Sequence, residues 1–296
     1  MTTAVGPPPD GTLDRSLRAR WRRVRGYYKS TALFRRQLAA PARALAYPPA
    51  ALVTPGRTIE VQFRSGRQIS LPLRQWALLP VLCRLDGIGA QTRILPDAKH
   101  VRVAGLDLYS PLWTRNEAEY YREVFIDDIY RIGRKPRQNA VVVDVGAYVG
   151  DSALAFARAG ARVHAVEPAA DLCGFITRNA RANGMQDRVQ VHAVGLGERS
   201  ATVQDGRHTL RLVEGVEYTL QHLPRQIDVL KLDCEGAEYH LLADDRFLGH
   251  LRPREICMEF HQGPERVLPA LAAAGYRCEM GPRHGEVGLL YATLAD

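Results

Sequence analysis

The 296-residue sequence lacks any run near the ~20 apolar residues that a helical membrane span needs. Its five cysteines (Cys83, Cys173, Cys234, Cys257 and Cys278) are odd in number and include no CxxC pair. A disulfide framework or a thiolate metal site is therefore not indicated, and core thiols in a reducing cytosol are expected. The apolar stretch of a secretory leader is missing near the first residues, and no internal repeat is visible. Most of the chain also lacks net charge. The formal +8 is accounted for between Met1 and Leu45, where ten Lys/Arg face two Asp/Glu, and the remainder holds 30 of each sign. A nucleic-acid substrate calls for positive charge around the site, not on one arm alone, so that substrate class is argued against.

Basic and apolar residues alternate in the arm. Leu13, Leu17, Trp21 and Val24 recur at helical spacing among Arg15, Arg18, Arg22 and Arg25, which predicts a basic amphipathic helix. Such a helix suits peripheral contact with an anionic membrane; packing on the protein itself and a solvated tail are the alternatives. Pro41, Pro48, Pro49 and Pro55 mark a linker. TIEVQF and QISLPL, joined through Ser65-Gly66, predict a hairpin over Thr58–Leu73, and a strand is expected at Val101–Val103. Thr114 and Glu117 match a capping box that opens a helix burying Tyr121, Val124, Phe125 and Ile129. Arg131–Asn139 is a second linker. Residues 1–50 are thus expected to be a basic arm, 51–138 a small α+β accessory region, and 139–296 the main domain.

From Ala140 onward strands and helices alternate. Ala140–Gly146, Ala161–Glu167, Val189–Val194, Ile227–Asp233 and Glu255–Phe260 are short apolar strands, and helices are expected at Asp151–Ala159, from Ala170 to Asn183, from Gly236 and from Pro264. YRCEM and EVGLLYATL close the chain as an antiparallel pair. This order predicts an α/β fold with a Rossmann-like, doubly wound, mostly parallel sheet.

Two blocks carry chemistry. The first turn after a strand reads Asp144-Val-Gly146-Ala-Tyr-Val-Gly150-Asp151, a glycine turn feeding a helix N-terminus. Its middle glycine is missing, and Asp144 would repel a pyrophosphate, so a nicotinamide dinucleotide fits poorly. A ligand with a cationic amino-acid end, such as S-adenosylmethionine, fits better. Glu167 ends the next strand, where an acidic side chain meets ribose hydroxyls. The second block, Lys231-Leu-Asp233-Cys-Glu235-Gly-Ala-Glu238, ends the fourth strand, and Glu259-Phe-His261 ends the fifth on the same edge. A histidine there can serve as general base toward a hydroxyl, or be held in a loop for structure only. Asp233, Glu235, Glu238 and Glu259 could also ligate Mg²⁺, but structural capping is the preferred reading and no metal site is expected.

The run VVVDVGAYVGDS, AVEP, RNARANG, VGLGE, DVLKLDCEGAE, MEFH resembles the FkbM family of methyltransferases, over roughly Val141–Tyr276. The resemblance implies O-methylation of a hydroxyl on a sugar, glycolipid, polyketide or similar metabolite, with S-adenosylmethionine as donor. By position it implies donor binding by Asp144, Gly146, Gly150 and Glu167, while Asp233, Glu235 and His261 face the reaction. Asp151, Val194 and Asp233 complete the expected donor set. Tyr148 departs from the Asn that the family often has in this turn. The competing readings are a nucleic-acid-modifying enzyme, a non-catalytic scaffold and a nicotinamide-dependent oxidoreductase. The expected partner is a small-molecule or glycoconjugate acceptor. A cytoplasmic location is expected, with peripheral contact at the inner membrane surface through the arm left open.

Overall fold

The structure is a computed structural model that describes residues 51–53, 58–63, 65–134 and 137–295. The basic arm and its expected amphipathic helix lie outside the described residues. The described chain divides into two compact units, one within 51–99 and 111–118, the other within 100–110 and 119–295.

In the first unit β1 (Ala51–Val53), β2 (Thr58–Gln62) and β3 (Gln68–Pro72) form an antiparallel sheet in that order. The expected hairpin turn is present, with Gly66 at φ 84°, a conformation that glycine adopts without strain. A 3₁₀ turn, Leu73–Leu78, runs into α1 (Leu79–Gly87), which buries Val81, Leu82, Cys83 and Leu85. β4 (Gln91–Ile94) follows. Thr114 and Glu117 meet side chain to side chain. The Thr114 N–H goes to the Pro111 carbonyl, the Thr114 hydroxyl donates to the Glu117 carboxylate, and Lys99 pairs with that carboxylate. Lys99 Nζ also donates to the Thr114 carbonyl at 2.6 Å. Burial pulls the Lys99 ammonium down to about 8, with Glu117 opposing.

The chain passes between the units along β5 (Ala98–Val103), β6 (Leu106–Pro111) and α2 (Glu117–Phe125), and a 3₁₀ turn at Ile132–Arg134 follows in the second. The segment expected to be a linker is packed down. Arg137 is buried, and its guanidinium holds Glu255 at 3.1 Å and the Arg131 carbonyl.

Next come β7 (Val141–Val145), α3 (Asp151–Arg158), β8 (Arg162–Val166), α4 (Ala170–Ala182), β9 (Val189–His192), β10 (Gly195–Gly197), β11 (Ala201–Asp205), β12 (His208–Glu214) and α5 (Gly215–His222). The chain continues with β13 (Val229–Leu232), α6 (Glu238–Ala243), α7 (Asp245–Leu251), β14 (Glu255–Phe260), α8 (Leu268–Ala273), β15 (Tyr276–His284) and β16 (Val287–Leu294). The large sheet has seven strands in the order β15-β16-β14-β13-β7-β8-β9. β14, β13, β7, β8 and β9 are parallel, and the last two strands are antiparallel, as expected. Alternate residues enter opposite cores. Val143, Val145, Leu230, Leu232, Ile256 and Met258 face one, while Val142, Val163, Ala165, Val229 and Cys257 face the other. Both faces are therefore covered, which is why these strands read as continuous apolar runs. Strand order reverses between β7 and β13, the switch point where open sheets of this type bind ligands at the strands' carboxyl ends.

Two expectations differ in detail. The helix placed at Pro264 starts at Leu268, because Pro264–Val267 closes first into a turn. The insert after β9 is a small β10-β12-β11 sheet, and it packs beside Glu167: Leu210 pairs with Ala169, and the Arg211 N–H donates to the Pro168 carbonyl. The sequence alone predicts no strand there.

Candidate active site

The glycine turn between β7 and α3 is built by close approach. Gly146 has φ 80°, and a Cβ there would stand 1.7 Å from the Asp233 carbonyl oxygen, so no other residue fits. Gly150 has φ 89° and begins α3; a Cβ would press on Ile176 and Leu154 at 3.1 Å. Asn179 of α4 is fully buried and donates to the Val149 carbonyl at 2.8 Å, tying the turn down from behind. Tyr148 is itself left-handed at φ 50°, and its ring meets Tyr120 of α2 edge-on at 5.4 Å.

Glu167 is buried one residue past the end of β8, not solvated at a strand end. Its Oε2 accepts from the Tyr148 N–H and its Oε1 from the Ala169 N–H, both at 3.0 Å. Burial pushes its carboxyl up to about 7, although those two N–H donors pull the other way. Each oxygen keeps a lone pair for a hydroxyl. Val194 is buried in the core beyond β9 and offers apolar surface and backbone only.

Asp144 and Asp151 lie deeper. Asp144 is fully buried, accepts from the Ser152 hydroxyl at 2.7 Å and pairs with Lys231 Nζ at 3.1 Å. Its register partner across β7 and β13 is Lys231, which also donates to the Gly146 carbonyl at 2.7 Å. Burial opposes the Lys231 charge, yet Asp144 and Asp233 together hold its ammonium above the ordinary lysine range. Asp144 thus shapes the turn through Lys231 and Ser152. Asp151 is the first residue of α3, and burial raises its carboxyl to about 6.

At the ends of β13 and β14 the other predicted residues converge. Asp233 is partly exposed; its Oδ2 accepts from the Tyr130 hydroxyl at 2.9 Å, and its Oδ1 lies 3.8 Å from His261 Nε2. His261 Nδ1 donates to Glu238 Oε1 at 3.0 Å, and Glu238 is fully buried. The bond to Glu238 drives the imidazole up to about 9, against burial and with Glu238, Asp233 and Glu235 adding to it. Glu235 sits in a left-handed conformation with its side chain 90% exposed, Oε2 being 3.7 Å from His261 Nε2. Glu259 is raised to about 7 by burial and by the charges of Asp233, Glu123 and Glu235. Asp233, Glu259 and His261 could each offer one atom to a metal ion, all within 4.8 Å of one another, and the same atoms suffice to hold a hydroxyl. Tyr130 was not singled out as a site residue, and Glu238 was read only as a capping group or a possible Mg²⁺ ligand, not as the partner of His261. Glu238 stood within the KLDCEGAE block; Tyr130 lies in a segment with no periodic signal.

Residues 144–278 match the family model described as the methyltransferase FkbM domain. The match covers 135 of the chain's 296 residues. No curated protein matches the chain. Among solved structures, it is similar to methyltransferase FkbM from Methylobacillus flagellatus KT at 16% identity and a TM-score of 0.41, over 52% of this chain and 43% of that one. This chain thus matches less than half the length of that relative. It is also similar to magnesium protoporphyrin IX methyltransferase from Synechocystis PCC 6803, determined with bound SAM, at 15% identity and a TM-score of 0.41, over 62% and 84% of the two chains. Precorrin-6y C5,15-methyltransferase from Geobacter metallireducens GS-15 is similar at 17% identity and a TM-score of 0.39, over 56% and 88%. The residues of the FkbM domain suit the donor. Glu167 keeps lone pairs for ribose hydroxyls, and the carboxylates of the β13 and β14 ends suit a cationic sulfonium. Among the described residues no helix is long and apolar enough to cross a membrane.

Proposed function

We propose that the FkbM domain transfers the methyl group to a hydroxyl of a neutral or cationic metabolite, such as a sugar or polyketide. The observation that carries this reading is the pairing of His261 with Glu238. Nδ1 is committed to a buried carboxylate, so Nε2 is the free nitrogen, and it points toward Asp233. Two atoms 3.8 Å apart can both lie within hydrogen-bond reach of one oxygen. The acceptor hydroxyl would donate its one proton to His261 Nε2, with Asp233 Oδ1 beside it favouring the imidazolium that forms. Bound S-adenosylmethionine supplies an electrophilic methyl on a sulfonium that leaves as a neutral thioether. His261 Nε2 takes the hydroxyl proton as the oxygen–methyl bond forms, and Glu238 stabilises the imidazolium. A sulfonium brought to this edge disfavours a second positive charge on Nε2, so it favours the neutral base form. Alignment supplies most of the rate, because the leaving group needs no help.

Carboxylates bear on acceptor class. Burial and then Asp233 raise both Glu123 and Glu259, with Glu119 and Asp127 adding to the first and Glu123 and Glu235 to the second. Phosphates or carboxylates near the reacting hydroxyl would be repelled, which favours this reading over a nucleic-acid acceptor. The test is a panel of neutral, amino and phosphorylated sugars and polyols, assayed for S-adenosylhomocysteine release. Turnover confined to phosphorylated acceptors or to oligonucleotides would overturn the proposal.

A further inference from the structure

We infer that Tyr130 is a positioning residue of the transfer edge, fixing the Asp233 carboxylate so that Oδ1 faces His261. The inference rests on the proposed role of His261 and Asp233, and it assigns a task to a residue outside the matched 144–278. Tyr130 is buried, and its hydroxyl donates to Asp233 Oδ2 at 2.9 Å across 103 residues of sequence. The one cation near that oxygen among the described residues is Lys231 Nζ, at 3.8 Å. Lys231 is already occupied by Asp144 and the Gly146 carbonyl. The phenol is thus the short contact that selects the orientation of Asp233.

The phenol's own position is over-determined. The Tyr130 carbonyl accepts from the Cys257 thiol at 3.2 Å. On one side the Ile129 carbonyl accepts from the Tyr291 hydroxyl at 2.8 Å. On the other Arg131 stacks on the Tyr291 ring at 3.4 Å and pairs with Glu279. Its ring also lies 5.2 Å from the Lys231 ammonium. A side chain held this way can aim a hydrogen bond without reordering. Burial and the charge of Asp233 both raise the phenol far above its ordinary range, so it remains a donor and is not itself the base. Without it, Asp233 can swing to Lys231 or carry its charge less compensated. Either change alters the field at His261 Nε2.

The experiment is an NMR titration of the His261 imidazole in the resting protein, which needs no acceptor and no turnover. Its outcome is therefore separate from whether oxygen receives the methyl. Tyr130→Phe keeps the ring and removes the donor. The midpoint of His261 is expected to move by about 0.3 pH unit or more, with affinity for S-adenosylhomocysteine within about twofold of the parent. Tyr291→Phe, which loosens the same segment without touching Asp233, is expected to leave that midpoint in place. An unmoved midpoint in Tyr130→Phe, or an equal shift in Tyr291→Phe, would overturn the inference. Should Tyr130→Phe fail to fold, 3-fluorotyrosine at position 130 keeps the shape and strengthens the donor, and a midpoint unmoved by it would overturn the inference as well.

Discussion

Glu238 accepts two hydrogen bonds from His261, from the backbone N–H at 3.1 Å and from Nδ1 at 3.0 Å. Its other oxygen accepts from the Gly236 N–H at 2.9 Å. One buried carboxylate therefore fixes the tautomer of the imidazole, the start of β14's exit and the loop after β13. Because this pairing holds the imidazole up to about 9, His261 is an imidazolium at neutral pH when nothing else is bound. Only the neutral form takes a proton, so turnover should rise with pH and level off near or below 9, lower when the sulfonium is present. His261→Ala should cut turnover about 10²–10⁴-fold with donor affinity nearly unchanged. A flat profile between pH 6 and 9 would assign the proton to another group.

Glu167 should make donor binding depend on pH in a second window. Its carboxyl ionises near 7, and the ionised form is the stronger acceptor for ribose hydroxyls. Calorimetric affinity for S-adenosylhomocysteine should increase from pH 6 to 8. Glu167→Ala should lose about 1.5–3 kcal/mol of binding and that pH dependence with it.

Lys231 should matter for stability before it matters for chemistry. Lys231→Met leaves Asp144 charged and fully buried, a change that costs about 3–5 kcal/mol. Asp144→Asn in the same chain should recover much of that loss. Denaturant midpoints of the two single variants and the double variant check it; simple additivity would contradict a coupled pair.

On the far side of the sheet, His192 is buried between His164 at 3.1 Å and the Tyr218 hydroxyl at 3.0 Å. Burial, then the neighbouring histidines, push its imidazole down to about 4. The unfolded chain takes up a proton near 6.5 that the folded chain refuses, so stability falls as pH drops from about 6.5 toward 4. A His192→Gln variant should lose less stability than the parent between pH 7 and 5, as read by thermal midpoints. Parallel curves would show that His192 does not carry the effect.

The large sheet was legible because parallel strands buried on both faces write themselves as apolar runs; Glu255–Phe260 is delimited identically by sequence and structure. The insert was not. Strand His208–Glu214 is only half-buried, and its alternation HTLRLVE is no stronger than that of a loop. α7, seven residues behind Asp244, is too short for periodicity to show. Among site residues, the sheet-edge acids and His261 were readable from position. Asp144 was readable as important but not in its task, since only the register with Lys231 turns it inward. Tyr130 carried no local signal at all.

The contact between Gly146 and the Asp233 carbonyl has a consequence for how the domain can diversify. The turn proposed to serve the donor and the strand end proposed to serve the acceptor touch main chain to main chain, with no side chain between them. Substitution cannot lengthen or shorten that spacing by small steps. New acceptors would have to be accommodated by changing what surrounds the transfer edge, while the distance the methyl group travels is inherited unchanged.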